Sequence, residues 1–252
     1  MTQYLTSPQG RRLAYNHSPQ AGAPGVVFLG GFKSDMQGSK ALFLEDWARG
    51  KGLSFLRFDY SGHGVSDGAF EDGSIGDWRD DARAVITALT TGPQVLVGSS
   101  MGGWISLLLA REMPQRVAGL VTIAAAPDFT TTTWDEELTE AQRTEVRAKG
   151  RVEIPSEYAD NPYIFTEKLF DDGAKQRVFD QPLPLPMPTR LLQGTADKDV
   201  LPQVATRLLN HASGSDIRLT LVKGADHRFS TPDCLALIAT AIDEVLQRQS
   251  AS

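Results

Sequence analysis

Ser100 stands in Gly98-Ser99-Ser100-Met101-Gly102, between the apolar run 94–97 and a second apolar stretch opening at Met101. A serine with glycine two residues away on each side, on a strand-to-helix turn, suits nucleophilic attack. The tight turn forces the central residue into a strained backbone, and neighbouring backbone passes too close for side chains. The hydroxyl is thereby lifted to the sheet edge, beside the first N–H groups of the new helix. The bland reading is that Ser100 merely caps that helix. Ser99 is the rival hydroxyl, but the glycine pair does not frame it.

A serine hydroxyl is barely nucleophilic until a base takes its proton and a carboxylate orients that base. The chain holds four histidines, His17, His63, His211 and His227. His227 follows the last strand-like run, in a loop that returns over the carboxyl edge of the sheet, and is the expected base. His63, on the Gly-rich stretch Ser61-Gly-His-Gly64, is the alternative, although that stretch also suits a tight structural turn. His17 and His211 read as solvated. For the acid, Asp197 follows the penultimate strand, one strand away from His227, and neighbouring parallel strands lie about 5 Å apart. Asp128, Asp199 and Asp226 are the other candidates.

As the serine attacks, charge develops on the carbonyl oxygen, so donors must already point there. The Met101 N–H at the helix start is one. The Phe32 N–H, in Gly30-Gly31-Phe32-Lys33-Ser34 after the first buried strand, is the second, unless that stretch is a plain Gly-Gly turn. Nothing in the sequence requires Lys33 or Ser34 to touch substrate.

These residues need a scaffold that brings several strand ends together. Runs 26–29, 53–58, 94–97, 119–123, 190–192 and 217–222 read as strands, several of them apolar on both faces, as buried parallel strands are. Helical stretches at 39–49, 75–89, 101–112, 203–210 and 232–248 alternate with them, implying a parallel sheet with crossover helices. Residues 4–5 and 12–15 form an expected leading hairpin. The expected architecture is α/β, with a mostly parallel eight-stranded sheet and helices on both faces. Residues 128–181 lack a good core strand and read as charged helical pieces at 136–149 and 163–170, followed by prolines at 182, 184, 186 and 188 on an extended path. The expected division is a core of 1–127 and 189–252 with an inserted cap at 128–188. Tyr163 and Phe165, on the apolar side of the second piece, are candidate substrate contacts.

Composition narrows the function. The 252 residues carry 25 Lys and Arg against 31 Asp and Glu, and a net charge of −6 disfavours nucleic acid. No apolar run reaches the roughly 18–20 residues of a membrane span. One cysteine, Cys234, excludes an internal disulfide scaffold. No His-Glu-x-x-His, cysteine pair, Walker loop or strand-linked Gly-x-Gly-x-x-Gly is present, so neither a metal nor an organic cofactor is implied. The first residues show neither signal-peptide nor transit-peptide character, and a cytoplasmic location is expected.

The residues resemble the α/β-hydrolase superfamily over nearly the whole chain. Within it they are similar to the mitochondrial acyl-protein thioesterases that also cleave an acyl glucuronide. The likeness rests on Gly31-Phe-Lys-Ser-Asp-Met36 with Lys40-Ala41, on Arg57-Phe-Asp-Tyr-Ser-Gly62 with Gly64 and Ser66-Asp-Gly68, and on 92–104 around Ser100. It continues in Arg190-Leu-Leu-Gln-Gly194 and Asp226-His-Arg228, and loosely in Asn161-Pro-Tyr-Ile-Phe165. It implies Ser100, Asp197 and His227 as the triad, in the chain order of α/β-hydrolases, with oxyanion donors at Phe32 and Met101. The activity implied is cleavage of a small-molecule or acylated-protein thioester or ester through an acyl-enzyme. The rivals are a small-molecule carboxylesterase or acyl-glucuronide esterase, a C–C bond hydrolase, and a ligand-binding protein of the same fold.

Overall fold

Strands that are apolar on both faces are satisfied only in a sheet covered on both sides, and the chain folds around such a sheet. A computed structural model describes residues 2–21, 24–154 and 162–249. In chain order the first six strands are β1 (Gln3–Thr6), β2 (Arg12–Ser18), β3 (Val26–Leu29), β4 (Phe55–Phe58), β5 (Gln94–Ser99) and β6 (Val117–Ile123). Then come β7 (Arg151–Ile154), β8 (Tyr163–Thr166), β9 (Leu183–Pro184), β10 (Thr189–Gly194), β11 (Ala212–Ser213) and β12 (Ile217–Val222). The helices are α1 (Ser39–Lys51), α2 (Ile75–Leu89), α3 (Met101–Glu112), α4 (Phe129–Thr132), α5 (Glu140–Lys149), α6 (Glu167–Gly173), α7 (Pro202–His211) and α8 (Pro232–Gln249).

Eight strands form the main sheet in the order β1-β2-β4-β3-β5-β6-β10-β12. The β1–β2 and β2–β4 pairs are antiparallel and the other pairs parallel. The alternation of side chains along each strand divides the core in two. Val27, Leu29 and Leu96 join Trp78, Val85, Trp104 and Leu108 of α2 and α3 on one face. Val26, Phe28, Val95 and Val97 join Leu44 of α1 and Ile238, Ile242 and Val245 of α8 on the other. The expected mostly parallel, two-faced sheet is what forms.

The strand order also chooses the place for a site. After β3 the chain crosses towards β4, and after β5 it crosses the opposite way towards β6. The loops leaving β3 and β5 therefore part from each other at the carboxyl edge, where open α/β sheets have their binding crevice.

Between β6 and β10 the structure corrects one expectation. The helical piece expected at 163–170 is two elements: β8, paired antiparallel with β7, and then α6. Tyr163-Ile-Phe-Thr166 is aromatic and β-branched, and its partner Arg151-Val-Glu-Ile154 alternates buried with exposed residues, which is strand chemistry. Thr166 then accepts the Leu169 N–H at 3.1 Å and starts the helix as its N-cap. The apolar residues of 163–170 mimicked one helix face because a short strand runs directly into a short helix. The first piece, expected at 136–149, is a π-helical turn at Thr133–Glu137 followed by α5, which begins in a Thr139–Gln142 capping box. Asn161 lies outside the described residues. The proline path is extended as expected, with β9 pairing β11. Among the described residues no helix is long and apolar enough to cross a membrane.

Candidate active site

The crevice at the parting of β3 and β5 gathers side chains from four strand ends. Ser100 closes β5 with φ 55° and ψ −118°, a strained conformation for a non-glycine residue. The strain is held by hydrogen bonds from Ser100 N–H to Ile123 O (2.9 Å) and from Gly103 and Ala126 N–H to Ser100 O (2.9 and 3.2 Å). A side chain at Gly98 would lie 2.3 Å from Gly102 O, and one at Gly102 2.1 Å from Leu29 O. That crowding is the physical content of the two flanking glycines. Ser99 is buried on β5, whereas Ser100 is partly exposed.

His227 Nε2 lies 3.1 Å from Ser100 Oγ, and His227 Nδ1 lies 2.9 Å from Asp197 Oδ2. Asp197 is buried, and each of its oxygens has two partners. Oδ2 accepts from His227 and from Gln193 Nε2 (2.9 Å); Oδ1 accepts from the Asp199 and Val200 N–H groups (3.0 and 2.9 Å). Burial pushes this carboxyl up. The hydrogen bond and charge of His227, with the Val200 and Gln193 donors, outweigh burial and leave it below the usual carboxylate range. An ionised Asp197 holds the proton of His227 on Nδ1, which leaves Nε2 free to take the proton of Ser100.

The alternatives have other work. Asp128, in the left-handed region at φ 60°, accepts the Val178 and Phe179 N–H groups (2.7 and 3.1 Å) and ties the stretch after α6 to the end of β6. Asp226 accepts the Phe229 N–H (3.1 Å). Asp199 meets Asp197 through its backbone. Asp197, Asp199 and His227 have potential ligand atoms within 4.8 Å of one another, but Asp197 and His227 spend those atoms on each other and on Ser100. His17 and His211 depart from the expectation of solvated rings. His17 Nε2 bonds Ser54 Oγ (3.2 Å), and His211 Nε2 donates to Val178 O and Gln181 O (3.0 and 2.9 Å).

A side chain at Gly31 would sit 3.4 Å from Ser100 Cβ, so the loop after β3 runs directly beside the serine. Among the described residues neither the Phe32 nor the Met101 N–H has a hydrogen-bond acceptor. The Phe32 ring lies in an aromatic cage of Phe70 (4.8 Å between centroids), Phe165 (5.4 Å), Phe129 (5.5 Å), Tyr163 (5.8 Å) and Trp78 (5.9 Å). Phe165 is buried and stacks on Phe170, so it joins the segment after β6 to the core. Tyr163 is half-exposed beside the Lys33 ammonium, which also donates to Pro162 O (3.3 Å).

Residues 26–247 match the alpha/beta hydrolase family. The chain belongs to that family. This α/β-hydrolase is 35% identical to the human protein named palmitoyl-protein thioesterase ABHD10, mitochondrial, over 98% of this chain and 80% of that one. Among solved structures, a protein of Agrobacterium vitis S4 designated a hydrolase superimposes with a TM-score of 0.93 at 41% identity, covering 97% of this chain and 98% of that one. The mouse alpha/beta hydrolase domain-containing protein 10 does so with a TM-score of 0.90 at 30% identity, covering 98% and 99%. The chain is accordingly a hydrolase with the α/β-hydrolase fold.

Three residues have supporting contacts that the sequence did not show. Gln193 steadies Asp197 from within β10. Lys40, at the start of α1, donates from Nζ to Arg228 O at 2.5 Å and so pins the loop that carries His227. Burial drives that ammonium down to about 8, with Asp226 opposing the shift and Arg228 adding to it. His63 is the third. It is buried, donates from Nδ1 to Ser61 O (3.2 Å) and accepts the Lys33 N–H on Nε2 (3.3 Å), so it braces a loop and does not meet Ser100. Gln193 and Lys40 stand in stretches that carry the family likeness, but only the fold shows what they touch.

Burial pushes His63 down to about 4, its hydrogen bond to Ser61 opposing the shift. Because the folded-state value lies below the unfolded one near 6.5, the unfolded chain takes up a proton that the fold refuses. Stability is complete above about pH 6.5 and falls as the pH drops towards 4, by about 3 kcal/mol from this group. Urea unfolding between pH 7.5 and 4.5 should show that loss, and His63→Phe should flatten the slope. An unchanged slope in the variant would assign the acid sensitivity elsewhere.

Proposed function

We propose that this hydrolase cleaves carboxylic thioesters and esters through an acyl-enzyme on Ser100, with the thioester of an acylated protein as its physiological substrate class. The observation that carries this reading is the unbroken chain Ser100 Oγ–His227–Asp197, with Ser100 raised on its strained turn. The name of the human relative supplies the substrate class. His227 Nε2 takes the Ser100 proton as Oγ adds to the carbonyl carbon. The oxyanion then lies against the Phe32 and Met101 N–H groups, whose lack of another acceptor suits that task. The C–S or C–O bond breaks as His227 returns the proton to the leaving thiol or alcohol, and Ser100 keeps the acyl group. Water, deprotonated by His227, adds to the acyl carbon and releases the carboxylic acid. No metal or organic cofactor enters these steps.

In this reading residues 128–188 act as a cap on the core 1–127 and 189–252. The cap supplies Phe129, Tyr163 and Phe165 to the aromatic cage around Phe32, whose loop runs beside Ser100. An acyl chain against such rings gains about 0.8 kcal/mol per buried CH₂, about fourfold in kcat/KM if expressed in the transition state. Thioesters and p-nitrophenyl esters graded from acetyl to palmitoyl should therefore show kcat/KM rising with length to a plateau, and Phe165→Ala should flatten the rise. A profile that peaks at acetyl and declines would favour a small-molecule carboxylesterase or acyl-glucuronide esterase. We place the enzyme in the cytoplasm. Its one cysteine, Cys234, is buried and free, as suits a reducing compartment, and fractionation would separate the cytoplasm from the mitochondrial location of the relatives.

A further inference from the structure

The loop that brings Phe32 to Ser100 is strained one residue further on. Lys33 sits at φ 55°, a left-handed backbone that costs a non-glycine side chain of order 1–2 kcal/mol and must be held from outside. Two groups of contacts hold it. Ser34 turns back on the loop, its N–H and Oγ both bonding Gly31 O (3.2 and 2.9 Å). The other hold is His63, whose Nε2 accepts the Lys33 N–H at 3.3 Å.

His63 is itself fixed by a buried chain of contacts. Its Nδ1–H bonds Ser61 O, which also accepts Trp78 Nε1–H at 3.0 Å. The Ser61 N–H and Oγ–H both bond Asp81 Oδ2 (2.9 and 2.6 Å), and Arg11 Nε–H bonds Asp81 Oδ1 at 2.7 Å. The imidazole lies edge to face against Tyr60, Phe70 and Trp78, with centroids 5.5, 5.1 and 5.0 Å away. Phe70 and Trp78 also touch the Phe32 ring. One rigid aromatic and hydrogen-bonded block therefore holds residue 32 through its side chain and residue 33 through its N–H. The ring must be neutral to accept that N–H, as its depressed pKa of about 4 ensures near pH 7.

We propose that His63 is a positioning residue for acyl transfer: by accepting the Lys33 N–H it fixes the loop so that the preceding Phe32 N–H points at the developing oxyanion. The inference rests on the reading of Phe32 as an oxyanion donor. His63 touches neither Ser100 nor substrate. Its effect belongs to the transition state, because a donor aimed at the tetrahedral oxyanion acts little on the planar ground state.

The test compares His63→Phe, which keeps an aromatic ring in the cage without its acceptor, with His63→Gln, whose amide oxygen can take the Lys33 N–H. Loss of an oxyanion donor costs about 10²–10³ in kcat, and a misdirected donor should cost about 10–100-fold. His63→Phe should show that loss with p-nitrophenyl butyrate at unchanged KM. Its affinity for a trifluoromethyl ketone, which forms a tetrahedral oxyanion on serine, should fall by a similar factor, and that for the matching methyl ketone should hold. His63→Gln should recover most of both losses. A His63→Phe enzyme with unchanged kcat would overturn the proposal, as would parallel loss of affinity for both ketones or a His63→Gln variant no better than His63→Phe. Should His63→Phe fail to fold, the nitrogen-15 spectrum of histidine-labelled wild-type protein decides. A neutral His63 bearing its proton on Nδ1 supports the proposal, and one protonated on Nε2 overturns it. Fluorophosphonate labelling of wild-type Ser100 is run alongside. Its absence would sink the serine reading itself, whereas intact labelling with an indifferent His63 would sink only the loop brace.

Discussion

Ser100→Ala will lose covalent labelling by a fluorophosphonate and nearly all turnover. In serine hydrolases, removing the nucleophile costs on the order of 10⁶ in kcat, leaving what the oxyanion donors and substrate binding achieve alone. Among the described residues no neighbouring hydroxyl is placed to substitute. Ser99 is buried within β5, and the Ser34 hydroxyl is engaged with Gly31 O. Alanine has no larger steric demand on the strained turn, so the fold and its thermal midpoint should be retained. His227→Ala should lose a similar amount, and the double variant little more, because nucleophile and base act as one unit. Residual labelling at the active site of Ser100→Ala, located by mass spectrometry of the tryptic peptides, would reassign the nucleophile.

Asp197→Asn should lower kcat by about 10⁴ while the protein stays folded, the size of the effect known for the corresponding change in a serine protease. The structure supplies the reason here. Oδ1 must go on accepting from the Asp199 and Val200 N–H groups, so the asparagine amide oxygen is held there. Its NH₂ is then turned towards His227 Nδ1 and Gln193 Nε2, where donors meet donors. His227 relieves the conflict by moving its proton to Nε2, the tautomer that cannot accept from Ser100. Asp128→Asn and Asp199→Asn should leave kcat nearly intact. At Asp128 the cost should appear in stability, because both oxygens serve the Val178 and Phe179 N–H groups. A larger loss of kcat for Asp128→Asn than for Asp197→Asn would move the acid to the end of β6.

Ser100, His227 and Asp197, which the fold brings into one hydrogen-bonded chain, were legible because each combines a residue type with a local pattern. Gly98-x-Ser100-x-Gly102 can be read from one short window, since the clashes that exclude side chains arise within and beside that turn. His227 and Asp197 were legible from their places just after successive strands of the carboxyl-terminal half, because parallel strands of fixed spacing leave their following loops side by side. Residues 163–170 were not legible. Apolar spacing over eight residues does not separate a helix from a strand running into a helix, and the decision lay with pairing to 151–154, outside that window.

The sequence by itself determined which strands are buried on both faces, where the strained turn of Ser100 must fall, and which histidine and aspartate follow the last strands. Those features depend on side-chain alternation and on backbone sterics within a few residues. The tertiary structure alone decided that Asp128 anchors 178–179 and that Gln193 and Lys40 hold Asp197 and the loop of His227. It also decided that His63 grips the loop of Phe32 through Lys33, 30 positions away in sequence. Such contacts arise from where crossovers deliver distant segments. The hydrogen-bond partner of a buried polar group is chosen by proximity after folding, and no periodicity along the chain encodes it.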